Sequence, residues 1–143
     1  MAVGKDLPWT TMMKPELVDL KDGSISLKQT PEEIHLNMNG DMNAGVLFSM
    51  SEMAGMGVVV MLLGELASSS FIASKNVNID FLARAQGEIV FTGSMSEEQQ
   101  KRTLQNAKAG NKVEEVIQVE AKDKAGNVVS KSNVTAVVKP KRG

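Results

Sequence analysis

The 143-residue sequence contains no cysteine. That absence excludes a disulfide framework, thiolate catalysis and cysteine zinc sites, and it fits a reducing, cytoplasmic setting. A single histidine, His35, excludes multi-histidine metal sites, so no bound metal is expected. Tyrosine is also absent, and four Phe and one Trp offer no platform on which nucleobases could stack. The net charge of −1 leaves no basic footprint, so nucleic acid is not an expected partner. No apolar stretch of signal-peptide type opens the sequence. There is no G-x-S-x-G elbow, no Walker A loop and no EF-hand loop, and Gly55-Met56-Gly57 lacks the third glycine of a dinucleotide turn.

What is present is one conspicuous stretch, NMNGDMNAG at residues 37–45 followed by VLFSMSEMAGMGVVVMLLGEL to residue 66. A Gly/Asn-rich turn feeds a run in which Glu52 is the sole charge between Val46 and Leu63. A helix that is hydrophobic on nearly every face belongs inside a protein core or a bilayer. Glu52 near mid-run, Ser49, Ser51, Gly55, Gly57 and the lack of a flanking Lys/Arg cluster weigh against a membrane span. The helix is therefore expected from about Gly45 to Leu66 as a buried element, with the two glycines allowing a close approach to a sheet.

Around that helix the periodicity predicts strands. Gly23–Lys28 alternates Ile25 and Leu27 with polar neighbours, and residues 32–38 place Ile34, Leu36 and Met38 on one face with His35 and Asn37 on the other. Residues 71–82, with Val77, Ile79 and Phe81 alternating, give a third strand, and EIVFTGSM at 88–95 a fourth. Residues 9–20 are expected as a short helix interrupted at Pro15. Ser96 with Gln99 forms a capping box for a polar helix ended by Gly110. A hairpin, Val113–Lys122 and Val128–Val138, completes the order β–β–α–β–β–(α)–β–β.

One long apolar helix satisfies an antiparallel sheet when the sheet curls around it, so the expected class is α+β. A single domain is expected over residues 1–143, with its core at about 23–138, a peripheral segment at 1–22 and a frayed tail at 139–143. Helix faces left uncovered by one sheet would be buried by a second copy, so a homodimer or homotetramer is expected.

Asn37-x-x-Gly40-Asp41-x-Asn43-Ala44-Gly45, then Leu47-Phe48 and Glu52-x-Ala54, resembles the signature of hotdog-fold thioesterases of the PaaI-like superfamily. Their usual form is N-x-x-G-T-x-H-G-G followed by an acidic residue nine positions after the His. Glu52 stands nine after Asn43 and Asn37 six before it, and NIDFLARAQGEI resembles the family's strand-turn segment. The resemblance implies a hotdog fold, an acyl thioester substrate with coenzyme A as part of the substrate rather than a cofactor, and a site at the interface of two subunits. It implies Glu52 as general base or nucleophile, Asn37 near the thioester or the attacking water, and Ser74 as a hydroxyl orienting that water. The start of the helix adds a physical argument: unpaired N–H groups near Asn43, Ala44 and Gly45 and a partial positive charge suit a developing oxyanion. Lys75 or Arg84 would meet the phosphates of coenzyme A.

The sequence also departs from the family pattern. Asn43 replaces the His, Ala44 the first Gly and Asp41 the Thr, and Arg84 is shifted from its usual place. Asp41 adds a negative charge near the helix start, which is expected to cap the helix but also to repel an anionic ligand. The alternative function is a dimer that binds a fatty acyl group without cleaving it. Dehydration of hydroxyacyl thioesters ranks third, because His35 lies on the wrong element for it.

Overall fold

The computed structural model describes residues 7–142; the first six residues of the expected peripheral segment and the last residue of the tail lie outside them. Six strands form one antiparallel sheet: β1 (Glu16–Lys21), β2 (Ser24–Gln29), β3 (Ser70–Phe81), β4 (Ile89–Ser94), β5 (Val113–Asp123) and β6 (Val128–Pro140), in the spatial order β1-β2-β4-β5-β6-β3. Three helices accompany them, α1 (Pro8–Met13), α2 (Ala44–Leu63) and α3 (Glu97–Lys108). The sheet curls around α2, and the class is α+β with the hotdog arrangement of one long helix held by an antiparallel sheet.

The strand pattern explains the wrapping. Along β5, Val113, Glu115, Ile117, Val119 and Ala121 are buried while Gln118 and Lys122 face outward; on β6 the buried set is Val129, Ser130, Ser132, Val134, Ala136 and Val138. The apolar members of these sets meet Leu47, Met50, Ala54, Val58, Val59 and Leu63 of α2 in one core. Two glycines let the helix and the sheet approach closely. A Cβ on Gly55 would stand 2.8 Å from Val134 Cβ, and one on Gly93 of β4 would stand 2.6 Å from the Ala54 carbonyl oxygen. The close approach expected of Gly55 is therefore present, with Gly93 answering it from the sheet.

The helix expected to run to Leu66 ends at Leu63, because Gly64 takes a positive φ of 56° and the chain tightens into a 3-10 segment, Gly64–Ser69. Together these make a segment long and apolar enough to cross a membrane, but half of its apolar window is buried inside this fold. It is the core helix of the hotdog arrangement.

Two expectations fail near the N-terminus. Residues 9–20 do not form one helix: Lys14, in the left-handed region at φ 51°, ends α1, and β1 follows as an edge strand against β2. Nor is 32–38 a strand. Glu33–His35 forms a 3-10 turn fixed by a reciprocal cap between Glu32 and His35, leaving one isolated bridge, Leu36 to Met42. The alternation of Ile34, Leu36 and Met38 is inverted by this turn: His35 is fully buried, while Ile34 and Met38 are exposed at 65% and 97%. The local cap outcompetes the period-2 pattern.

Candidate active site

The loop 37–43 and the start of α2 are built by side-chain-to-backbone bonds. Asn37 Oδ1 accepts the N–H groups of Asn39 (2.9 Å) and Asp41 (3.1 Å), closing a tight turn around Gly40, whose φ is 78°. Asn37 thus shapes the turn with its carbonyl oxygen. Asn43 caps α2: its Oδ1 accepts the Gly45 N–H at 2.8 Å, and its backbone carbonyl accepts from Val46 and Leu47. Of the two amides expected at this helix start, Gly45's is engaged by the cap, and Ala44's N–H has no protein partner among the described residues.

Asp41 does not cap the helix. Arg84 grips it with two bonds, Nε to Oδ2 at 2.9 Å and Nη2 to Oδ1 at 3.1 Å, and Nη2 also donates to the Asn39 carbonyl at 3.3 Å. The guanidinium holds the Asp41 carboxyl below the usual aspartate range. The negative charge that threatened to repel an anionic ligand is therefore neutralised by the cation expected to bind one. The pair spans 43 residues, which is why neither residue's role could be read from its neighbours.

Glu52 and Ser74 are brought together. Ser74 Oγ donates to Glu52 Oε2 at 2.8 Å, joining α2 to β3. A bulge makes this possible: Ser74 pairs with Ala136 and Asn76 with Thr135, leaving Lys75 as an extra residue. Ser74 stands opposite Ala136 and, like Ile72 and Val77, belongs to the face of β3 turned toward α2. Lys75 is directed instead to Glu114, Nζ to Oε1 at 2.8 Å, and that ion pair is exposed. Around Glu52 the helix is incompletely covered: Phe48, Glu52, Met56 and Val60 follow at four-residue steps beside Met53, all partly or well exposed. β3, the edge strand flanking this stripe, exposes Phe71 and Phe81.

Ala44 and Glu52 lie eight residues apart on one helix, so their backbones are separated by about 12 Å at 1.5 Å per residue.

The sequence matches the model of a domain of unknown function, DUF4442, over residues 1–138. The chain belongs to this family. No curated protein matches the sequence. Several solved structures share the DUF4442 chain's fold. A protein of unknown function from Chlorobaculum tepidum has a TM-score of 0.84 at 16% identity, covering 96% of this chain and 90% of its own. A thioesterase family protein from Silicibacter pomeroyi has a TM-score of 0.78 at 12% identity, covering 97% and 94%. A thioesterase from Haemophilus influenzae has a TM-score of 0.75 at 12% identity, covering 94% and 85%. At such identities the likeness establishes the hotdog fold that the DUF4442 chain shares with them.

Proposed function

We propose that this DUF4442 protein is an acyl-CoA thioesterase whose site is completed by a second copy of the chain. The observation that carries the reading is the Ser74–Glu52 hydrogen bond beside an uncovered apolar stripe. A carboxylate there has a neutral hydroxyl as its protein partner, so its remaining acceptor capacity is open to water. Glu52 removes a proton from that water as its oxygen attacks the thioester carbonyl carbon. The oxyanion is met by the Ala44 N–H of the other copy, at the positive end of α2. The carbon–sulfur bond then breaks, and the thiolate leaves with a proton returned from Glu52, giving a carboxylic acid and free coenzyme A.

The second copy is invoked because Ala44 and Glu52 stand about 12 Å apart along one helix, so a donor from a partner can approach Glu52 more closely. β3 supplies the means: an edge strand of 12 residues with exposed Phe71 and Phe81 beside the uncovered face of α2 is suited to pairing with its own copy. The acyl chain lies along Met53, Met56 and Val60, where flexible thioether side chains adapt to its shape. Lys75 is the better placed cation for the phosphates of coenzyme A: an exposed pair such as Lys75–Glu114 is screened by solvent and exchanges readily, whereas Arg84 is held by two bonds to Asp41.

A second reading, an acyl-binding dimer without hydrolysis, is favoured by one observation: the Asn43 cap occupies the Gly45 N–H, leaving one backbone donor rather than two. Thiol release from acyl-CoA substrates of graded chain length, beside Glu52→Ala, separates the readings. Hydrolysis that disappears in the variant supports the thioesterase; a raised melting temperature with no thiol released supports the binding dimer. If neither is observed, both are excluded.

A further inference from the structure

The buried imidazole of His35 takes no part in this chemistry, yet it joins three segments. The Glu32 N–H donates to Nδ1 at 3.0 Å, and Nε2 lies 2.8 Å from the Met12 carbonyl oxygen of α1. Because Nδ1 accepts from a backbone donor, its lone pair is free of a proton, and the neutral ring carries its hydrogen on Nε2. The Nε2–H therefore donates to Met12. The same residue's backbone carbonyl accepts the N–H of Asn43, the cap of α2, at 2.8 Å. Gln29, also fully buried, adds a second tie to α1, its Nε2 donating to the Met13 carbonyl at 2.6 Å.

We propose that His35 is a pH-operated latch fastening α1 to the 3-10 turn and the loop that carries the α2 cap. Uptake of a proton from solvent places an N–H on Nδ1 facing the Glu32 N–H, so two donors confront each other and the bond is lost. The charged ring is also left inside the protein, which is unfavourable unless it is paired. Glu32 is the acidic group at hand, but its carboxylate already accepts from the His35 backbone N–H and from Lys14 Nζ at 2.8 Å. Lys14 is the residue that ends α1, so a Glu32 turned toward the imidazolium releases α1 by the other route. The remaining charges on the surrounding elements are committed or distant. Asp41 on the loop is held by Arg84, Lys28 of β2 pairs with Glu16, Glu33 is exposed, and α2 carries no charge before Glu52. Falling pH thus loosens α1 and, through the Asn43 N–H, the start of α2. This inference does not depend on thioester hydrolysis.

The sequence supplies its own reporters, since His35 is its one histidine and Trp9, on α1, its one tryptophan. Nitrogen chemical shifts of the imidazole and Trp9 fluorescence anisotropy are followed together on the full chain across the range where histidines titrate, about pH 8 to 5. The expected result is the Nε2–H tautomer at high pH, then loss of Trp9 anisotropy with the same midpoint as ring protonation. In His35→Gln, whose amide donates to Met12 and accepts from Glu32 without titrating, the anisotropy stays flat. The proposal is overturned if Trp9 is unmoved while the ring titrates, if His35→Gln shows the same loss, or if the ring stays neutral until the whole protein unfolds. Should His35→Gln not fold, the coincidence or separation of the two wild-type midpoints decides alone.

Discussion

Two glutamates stand on the inner side of this fold, and they are held in opposite ways. Glu115 of β5 is 7% exposed; Arg102 of α3 grips both its oxygens and Gln99 adds a third bond. Glu52 of α2 is partly exposed, sits beside an apolar stripe, and has one hydroxyl, Ser74, for a protein partner. A carboxylate satisfied by a guanidinium is fixed in charge and position, and it fastens α3 to the sheet. One satisfied by a hydroxyl keeps acceptor capacity for water. The difference argues that Glu115 is structural and that Glu52 is the residue available for chemistry, and each substitution below probes one side of that contrast.

The largest effect is expected where both sides share a foundation, at the contact of α2 with the sheet. Gly55→Leu forces a side chain into the space held by Val134. It should destabilise the protein by about 3 kcal/mol in denaturant unfolding, and by moving Glu52 away from Ser74 it should remove thiol release as well. Glu115→Ala comes next. Losing hydrogen bonds to a buried charged group should lower stability by about 2 kcal/mol, with the thiol release proposed for the folded protein kept.

The pH dependence sharpens the same point. Arg102 holds the Glu115 carboxyl below the usual glutamate range. Its stabilisation is therefore complete above the unfolded value, about pH 4.3, and is lost as pH falls through the lower folded value. Acid unfolding curves should show this loss in the wild type and a flatter course in Glu115→Gln. Ser74→Ala is the smallest change. Removing one hydrogen bond to a carboxylate should slow thiol release by about tenfold, with little effect on the melting temperature.

One side of this contrast, the core helix and Glu52, was legible in the sequence. The length and apolarity of residues 46–63 announced the core helix, and Ser96 with Gln99 announced α3, because both signals are local. The spacing of the motif from Asn37 to Glu52 pointed to the helix start and its acid, and the family resemblance named Ser74 as a hydroxyl orienting water beside it. The missing parts depend on partners distant in sequence. Arg84 and Asp41 meet across 43 residues, and Arg102 finds Glu115 across a helix-to-strand turn. The strand expected at 32–38 failed for a local reason, since the Glu32–His35 cap made a 3-10 turn of an alternating pattern. β1 was hidden by Pro15 and by the charges interrupting Leu17, Val18 and Leu20 along an exposed edge.

The contrast between the two glutamates is tested most directly by measuring thiol release and melting temperature together for Glu52→Gln, which keeps an acceptor for Ser74 but cannot take a proton from water. The account predicts a loss of turnover of about a hundredfold or more with the melting temperature unchanged or raised. Turnover close to the wild type, or a melting temperature that falls as it does in Glu115→Ala, would contradict it.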